Sequence, residues 1–165
     1  DSAIEEIKNC DVSSYSDTNR VDYLKMFEHF QNDGFIYQVT DNELIKTNKE
    51  RGTTLFPSAS YEDIGVGYFV TFNGNNYHIL FYSADEDVLT ETDGIAAYLK
   101  KRMGRSSDKE IAVNDKTISL LFHENGQCYA NAFVDENHYF DVIGAVSEEE
   151  MTEFLNAFTY EKTVF

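Results

Sequence analysis

The sequence predicts an α+β fold: an antiparallel, meander-like sheet of about five to seven strands with about two to four helices packed on it. Three observations carry this expectation. Short runs of alternating apolar and polar residues are joined by Asn-Gly, Asn-Asp or Asn-rich turns, the pattern of hairpins. Three other segments carry apolar residues at helical spacing between capping residues. The chain has 165 residues, 42% of them hydrophobic, so one globular domain over 1–165 can bury its own core without a metal or disulfide staple.

Residues 1–16 accommodate one short helix. The first strong helix lies in "NRVDYLKMFEHFQNDG", where Val21, Leu24, Phe27 and Phe30 build a stripe. Thr18 or Asn19 can cap its start and Gly34 its end. "FIYQV" reads as a strand. Residues 41–65 are ambiguous: "TDNELIKTN" fits a helical turn or an edge strand, and Pro57 sits in a loop-like stretch. "VGYFVTF" and "YHILFYS" flank "NGNN", so 66–83 reads as a β-hairpin. The polar connection "ADEDVLTETDG" leads into the helix "IAAYLKKRMG", which ends at Gly104. "EIAV", "KTISLLF" and "QCYANAFV" follow as a meander with turns at Asn-Asp and Asn-Gly, and "HYFDVIG" is the next strand. The last helix starts at Ser147, with Glu150 at capping-box spacing and Met151, Phe154, Leu155 and Phe158 on one face. A faint echo links 68–99 with 131–158, since each runs strand, turn, aromatic strand, acidic connector, helix.

Alternation assigns the sheet two apolar faces. One carries Tyr68, Val70, Phe72, Tyr77, Ile79 and Phe81, with Ile118, Leu120, Phe122, Tyr129 and Phe133 beside them. The other carries Phe69, Leu80 and Tyr82, with Leu121, Ala130 and Ala132. The helices at 95–103 and 147–158 are expected on one face, and the helix at 21–30 over part of the other. The remainder of the second face then either stays open as a shallow aromatic groove ringed by acids or is sealed completely by the N-terminal 65 residues.

Chemical motifs are sparse. No GxGxxG, P-loop, HExxH, GxSxG or CxxC pattern occurs. The acids around His138 are explained by a turn at "DEN" and by helix initiation at "SEEE", not by a metal site. An EF-hand starting at Asp85 fails, since Thr90 stands where glycine is required and Leu89 where an oxygen ligand belongs. If Asn125-Gly126 is a two-residue turn, His123 faces Cys128 across the hairpin, which is the one thiol–imidazole pairing the sequence offers. His78 sits on a semi-apolar strand face. The sequence assigns no catalytic residue, no metal ligand and no cofactor.

The stretch "IAVNDKTISLLFHENGQCYANAFVDENHYFDVIGAVSEEEMTEFLNAF" resembles an uncharacterised family of bacterial extracytoplasmic domains found in lipoproteins and sigma-factor regulators of Gram-positive bacteria. The likeness rests on the strand pair at 113–118, an aromatic-ended strand at Phe133, the exposed hairpin strand at 135–143 and the helix at 147–158. It departs in lacking tryptophan, with Phe133 where Trp is common. The resemblance implies an extracellular or cell-envelope location and a sensing or binding role, and it supplies no catalytic residues.

Net charge is −17, from 30 acidic and 13 basic residues. Such a chain repels phosphate backbones, which argues against ordinary nucleic-acid binding and suits a cationic partner. The start at Asp1, without Met, reads as a trimmed or mature chain with any membrane tether upstream. The preferred reading is a non-enzymatic binding or sensing module for a peptide, a glycan or a cationic protein segment. Its candidate binding residues are Phe69, His78, Tyr82, His123 and Cys128. The rivals are a small enzyme using His123, Cys128 or His78 with nearby acids, and an acidic inhibitor or nucleic-acid mimic.

Overall fold

The structure is a computed structural model that describes residues 2–10, 13, 17–58, 63–84, 94–104 and 106–165. It has the α+β fold expected. Two helices, α1 (Ser2–Asn9) and α2 (Asp17–Asp33), lead into strand β1 (Phe35–Val39). Then come β2 (Lys46–Thr47), β3 (Thr53–Ser58), β4 (Asp63–Phe72), β5 (Asn75–Ala84) and helix α3 (Ile95–Met103). The chain continues through β6 (Lys109–Val113), β7 (Lys116–Phe122), β8 (Cys128–Phe133), β9 (His138–Gly144), helix α4 (Glu148–Ala157) and β10 (Tyr160–Val164). The calcium-loop candidate beginning at Asp85 lies outside the described residues.

Eight strands form one antiparallel sheet in the order β2-β4-β5-β9-β8-β7-β6, with β3 also pairing β4. This exceeds the expected strand count because the ambiguous 41–65 region supplies an edge. Lys46 and Thr47 pair with Thr71 and Val70, and Thr53–Ser58 continues along β4 from Tyr68 to Asp63. Pro57 therefore sits in a strand, and it is tolerated because β3 is an edge that need not donate outward. The unforeseen β10 pairs with β1 as a separate two-stranded ribbon.

Two hairpins close with the predicted chemistry. Asn73 and Gly74 both have positive φ (50° and 77°), as do Asn114 and Asp115 (49° and 66°), the signature of type I′ turns. The remaining two residues of "NGNN" already belong to β5. The β7–β8 hairpin differs. Gly126 has φ 87°, its N–H donates to His123 O at 3.0 Å, and His123 N–H donates to Gln127 O at 2.9 Å. This is a three-residue loop with a glycine bulge, not a two-residue turn. Phe122 now pairs with Cys128. One residue of slip turns every β8 side chain over. Cys128, Ala130 and Ala132 go into the core, and Tyr129 and Phe133 move to the second face, reversing the sequence assignment.

The helices are also redistributed. The large core joins Ile7 of α1, Met26, Phe27 and Phe30 of α2, and Met151, Phe154, Leu155 and Phe158 at α4 to the first-face residues Val66, Tyr68, Phe81, Leu120, Phe140 and Val142. Leu24 stays 38% exposed, while Met26 is fully buried. Steps of three residues drift around a helix of 3.6 residues per turn, so the buried face follows Met26, Phe27 and Phe30 instead. Helix α3 lies on the opposite face, where Ile95, Tyr98 and Leu99 form a small second core with Tyr139, Tyr82 and Phe133. Helices α3 and α4 thus cover opposite faces, α2 shares α4's side, and the two echoing strand–strand–helix units are not packed alike. The capping box of α4 forms as expected, with Glu150 N–H donating to Ser147 Oγ at 3.2 Å and Ser147 N–H to Glu150 Oε1 at 3.0 Å.

Candidate functional site

Helix α3 closes only one end of the second face. At the other end a row of side chains runs straight across the sheet. Phe69 of β4 faces His78 of β5, His78 faces Ile143 of β9, Ile143 faces Tyr129 of β8, and Tyr129 faces Leu121 of β7. Phe69, His78, Tyr129 and Ile143 are only half-buried, and with Asn48, Arg51, Asn76 and Gln127 they line a groove of about 600 Å³.

Three local features shape it. The edge strand is interrupted at residues 48–52, where the chain leaves β4 and returns. Asn48 holds this excursion: its N–H donates to Phe69 O at 2.6 Å, and its Oδ1 accepts the N–H groups of Glu50 (3.1 Å) and Arg51 (3.3 Å). The excursion lays the Arg51 guanidinium 3.8 Å above the Phe69 ring. On the other side of that ring His78 stacks in parallel, with centroids 4.2 Å apart. Gly67 provides the space: a Cβ there would lie 2.9 Å from His78 Nε2 and 3.1 Å from Leu80. Finally, the β8 register slip brings Tyr129 to the groove, and His123 packs on it at 4.4 Å.

Burial, and secondarily the charge of Arg51, hold the His78 imidazole below its ordinary pKa, so it is neutral at neutral pH. Its Nε2 is buried with no hydrogen-bond partner among the described residues. The lining carries no carboxylate.

The sequence-selected residues are only partly brought together. Phe69 and His78 form the stacked wall, and His123 stands at the rim. Tyr82 lies under α3, stacked on Tyr139 at 4.8 Å and four residues along β5 from His78. Cys128 lies on the opposite face, fully buried, and burial pushes its thiol up to about 11. The His123–Cys128 pair does not form, because the bulge pairs Cys128 with Phe122. Sequence reasoning did not select Arg51, Asn48, Gln127 or Ile143. They lie largely in the ambiguous 41–65 region or on the misread hairpin, and only the pairing of both flanks of 48–52 with β4 places Arg51 over Phe69.

A second polar cluster lies on the first face. His138 Nδ1 bonds Asp135 Oδ1 at 2.7 Å, and its Nε2 lies 3.1 Å from Asp33 Oδ2 and 3.3 Å from Ser83 Oγ. Ser83 Oγ donates to Asp33 Oδ2 at 3.1 Å, His29 Nε2 approaches Ser83 Oγ at 2.5 Å, and Tyr37 OH donates to Asp135 Oδ2 at 2.6 Å. The Ser83, His138 and Asp135 distances resemble a nucleophilic triad, but the protonation does not. Burial alone would lower the His138 pKa; hydrogen bonds to Asp33 and Asp135 outweigh it and raise the value. Burial would raise both aspartates, and their bonds to His138 and Tyr37 bring them below the usual carboxylate range. An imidazolium bonded to carboxylates at both nitrogens cannot take a proton from serine. The adjoining cavity is about 10 Å³, too small for a substrate. This cluster fastens the end of α2 and the β8–β9 turn to the sheet.

Among the described residues no group of three or more His, Cys, Asp or Glu side chains is placed to hold a metal ion, and no helix is long and apolar enough to cross a membrane. No family model matches the sequence, and no curated protein matches it. Among solved structures, the PH1819 protein from Pyrococcus horikoshii OT3 aligns with 15% identity over 80% of this chain and 78% of that one, at a TM-score of 0.15. A likeness at that score carries no argument about fold or function.

Proposed function

We propose that this chain is a non-enzymatic binding or sensing module of a bacterial cell envelope, and that its ligand occupies the groove over Phe69, His78, Ile143 and Tyr129. The observation that supports this reading is the half-covered second face. An α+β sheet gains most by covering both apolar faces, yet here one end is left open with aromatic side chains and polar groups converging on it. A groove of about 600 Å³ falls within the range of small-ligand sites. The envelope location rests on the sequence resemblance alone. Catalysis finds little support, since the buried thiol stays protonated, and Ser83, which contacts both His29 and His138, donates to Asp33 beside a cavity of only about 10 Å³.

The test is a screen of small sugars, peptides and ring compounds against the isotope-labelled chain by NMR. Ligands should shift the amide signals of Arg51, Phe69, His78 and Tyr129 together, and Ile143→Trp, which fills the groove floor, should abolish the shifts while leaving the fold intact. Ligands that perturb other surfaces and ignore Ile143→Trp would overturn the site. Fractionation of cells expressing the native gene tests the location; recovery in the cytosol would refute it.

A further inference from the structure

Three neighbouring strands build a seat within the groove. β9 supplies its floor, β5 one wall and β8 the other. His78 faces Ile143, and Ile143 faces Tyr129. Gly144 pairs with both Tyr77 and Cys128, so the next step along the strands sets Asn76 and Gln127 on either side of Ala145. All six of these second-face residues line the groove. His78 stacks on Phe69 with 6° between the rings and 4.2 Å between centroids, and the two residues are directly paired across β4 and β5. The stacking direction therefore runs across the strands. The His78 ring stands upright on the sheet, and its second face is turned to the space over Ile143.

This seat is uncharged. Arg51 lies beyond Phe69, and its 3.8 Å contact there and the 4.2 Å step to His78 put two rings between the guanidinium and the seat. The lining holds no carboxylate, so a cation would find no partner in it despite the net charge of −17. What the seat offers beside its aromatic walls is a pair of amides, groups that both donate and accept hydrogen bonds. A hydroxyl does the same, so the pair suits a ring carrying several hydroxyls. The width agrees. Adjacent strands are spaced by about 4.8 Å, which sets the two walls roughly 9–10 Å apart. Carbon contacts form at about 3.5–4.0 Å, so a flat ring needs about 7–8 Å, and a puckered ring with axial hydrogens fills more of the gap. The C–H bonds on such a ring, polarised by its oxygens, would meet the negative face of the imidazole.

Resting on the groove reading above, we infer that the ligand is a neutral sugar, its pyranose ring standing over Ile143 between His78 and Tyr129 and its hydroxyls bonded by Asn76 and Gln127. Of the peptide, the glycan and the cationic segment that the sequence leaves open, this selects the glycan. Two sources share the chemistry: a free monosaccharide and a sugar unit within a chain.

The experiment titrates the labelled chain with glucose, galactose and N-acetylglucosamine, and with their disaccharides cellobiose, lactose and chitobiose. Benzyl alcohol serves as a flat neutral ring, and glucosamine and glucuronate as charged sugars. Signals of Asn76, His78, Gln127, Tyr129 and Ile143 should move together with at least one neutral sugar, which should bind more tightly than either charged sugar and about tenfold more tightly than benzyl alcohol. The double variant Asn76→Leu, Gln127→Leu should lose that tenfold, the factor that about 1.4 kcal/mol represents, with an unchanged melting curve. A disaccharide bound more tightly than its monosaccharide assigns a sugar chain, and equal affinity a free monosaccharide. Benzyl alcohol or a charged sugar binding the groove as tightly as every neutral sugar, or a double variant that binds sugar undiminished, would overturn the sugar inference and leave the groove as the site. No compound moving these signals would overturn both.

Discussion

His138→Gln removes the cation from between Asp33 and Asp135. The His138 side chain is 8% exposed, and the two carboxylates it joins are 20% and 32% exposed. Breaking a buried ion pair costs about 3–5 kcal/mol, and partial exposure of the carboxylates places this case near 3 kcal/mol. With a urea m-value of about 2 kcal/mol/M for a chain of this size, the midpoint should fall by roughly 1.5 M. The pH dependence follows from the direction of each shift. The His138 pKa is raised by folding, so its stabilisation is complete below its ordinary value of 6.5 and fades as pH rises through the raised one. Asp33 and Asp135 are lowered, so their share is present above the usual carboxylate range and is lost in acid. The gap between wild type and variant should therefore be widest at weakly acidic to neutral pH and narrow on both sides. Taking the difference cancels other titrating groups, including His78, whose lowered pKa works in the opposite direction. Urea unfolding followed by circular dichroism across that pH range is the assay. A gap below about 1 kcal/mol, or one that does not change with pH, would refute the imidazolium clamp.

Other substitutions probe the groove and the core. Gly67→Ala drives a methyl against His78 Nε2 and Leu80, and should cost about 1–3 kcal/mol and disturb the Phe69–His78 stack, visible as a shift of the His78 ring signals. Ser147→Ala breaks the capping box and should cost about 0.5–2 kcal/mol in thermal or urea unfolding, with ligand binding at the groove retained. Cys10 and Cys128 are not bridged to one another, so strong reductant should leave the melting temperature unchanged. Cys128 in the native state should resist thiol reagents near neutral pH, since its pKa is about 11.

The α+β class, the two type I′ hairpins and the capped last helix were legible because each depends on residues close in sequence. Asn-Gly and Asn-Asp tolerate positive φ, and Ser147 with Glu150 is a local device. The β7–β8 hairpin was misread because Asn-Gly serves a two-residue turn and a three-residue bulge loop equally well, and only the core decides. Ala130 and Ala132 fit beneath Phe140 and the helices, where Tyr129 and Phe133 would not. Strand β10 escaped notice because Tyr160–Val164 has no buried alternation of its own and is ordered by pairing with β1. The His138 clamp joins residues 33, 83, 135 and 138, and no periodicity connects them.

The groove gathers several departures from good sheet design in one place. An edge strand breaks off for residues 48–52, glycine occupies an interior strand position at 67, and a bulge turns a tyrosine out of the core. A histidine is half-buried with one ring nitrogen unpartnered among the described residues. Each feature costs stability: glycine within a strand weakens it, and an unpartnered buried nitrogen forfeits about 1–3 kcal/mol. The first face makes fewer such concessions: Tyr77 OH is buried without a partner among the described residues, and Gly144 leaves room for the Tyr77 ring, where a Cβ would lie 2.8 Å away. There Phe81, Phe140, Phe154 and Phe158 interlock, and even its charged cluster is fully bonded. Local rules broken together at one place, beside an arginine that makes no ion pair among the described residues, are the observation that supports the ligand site proposed above.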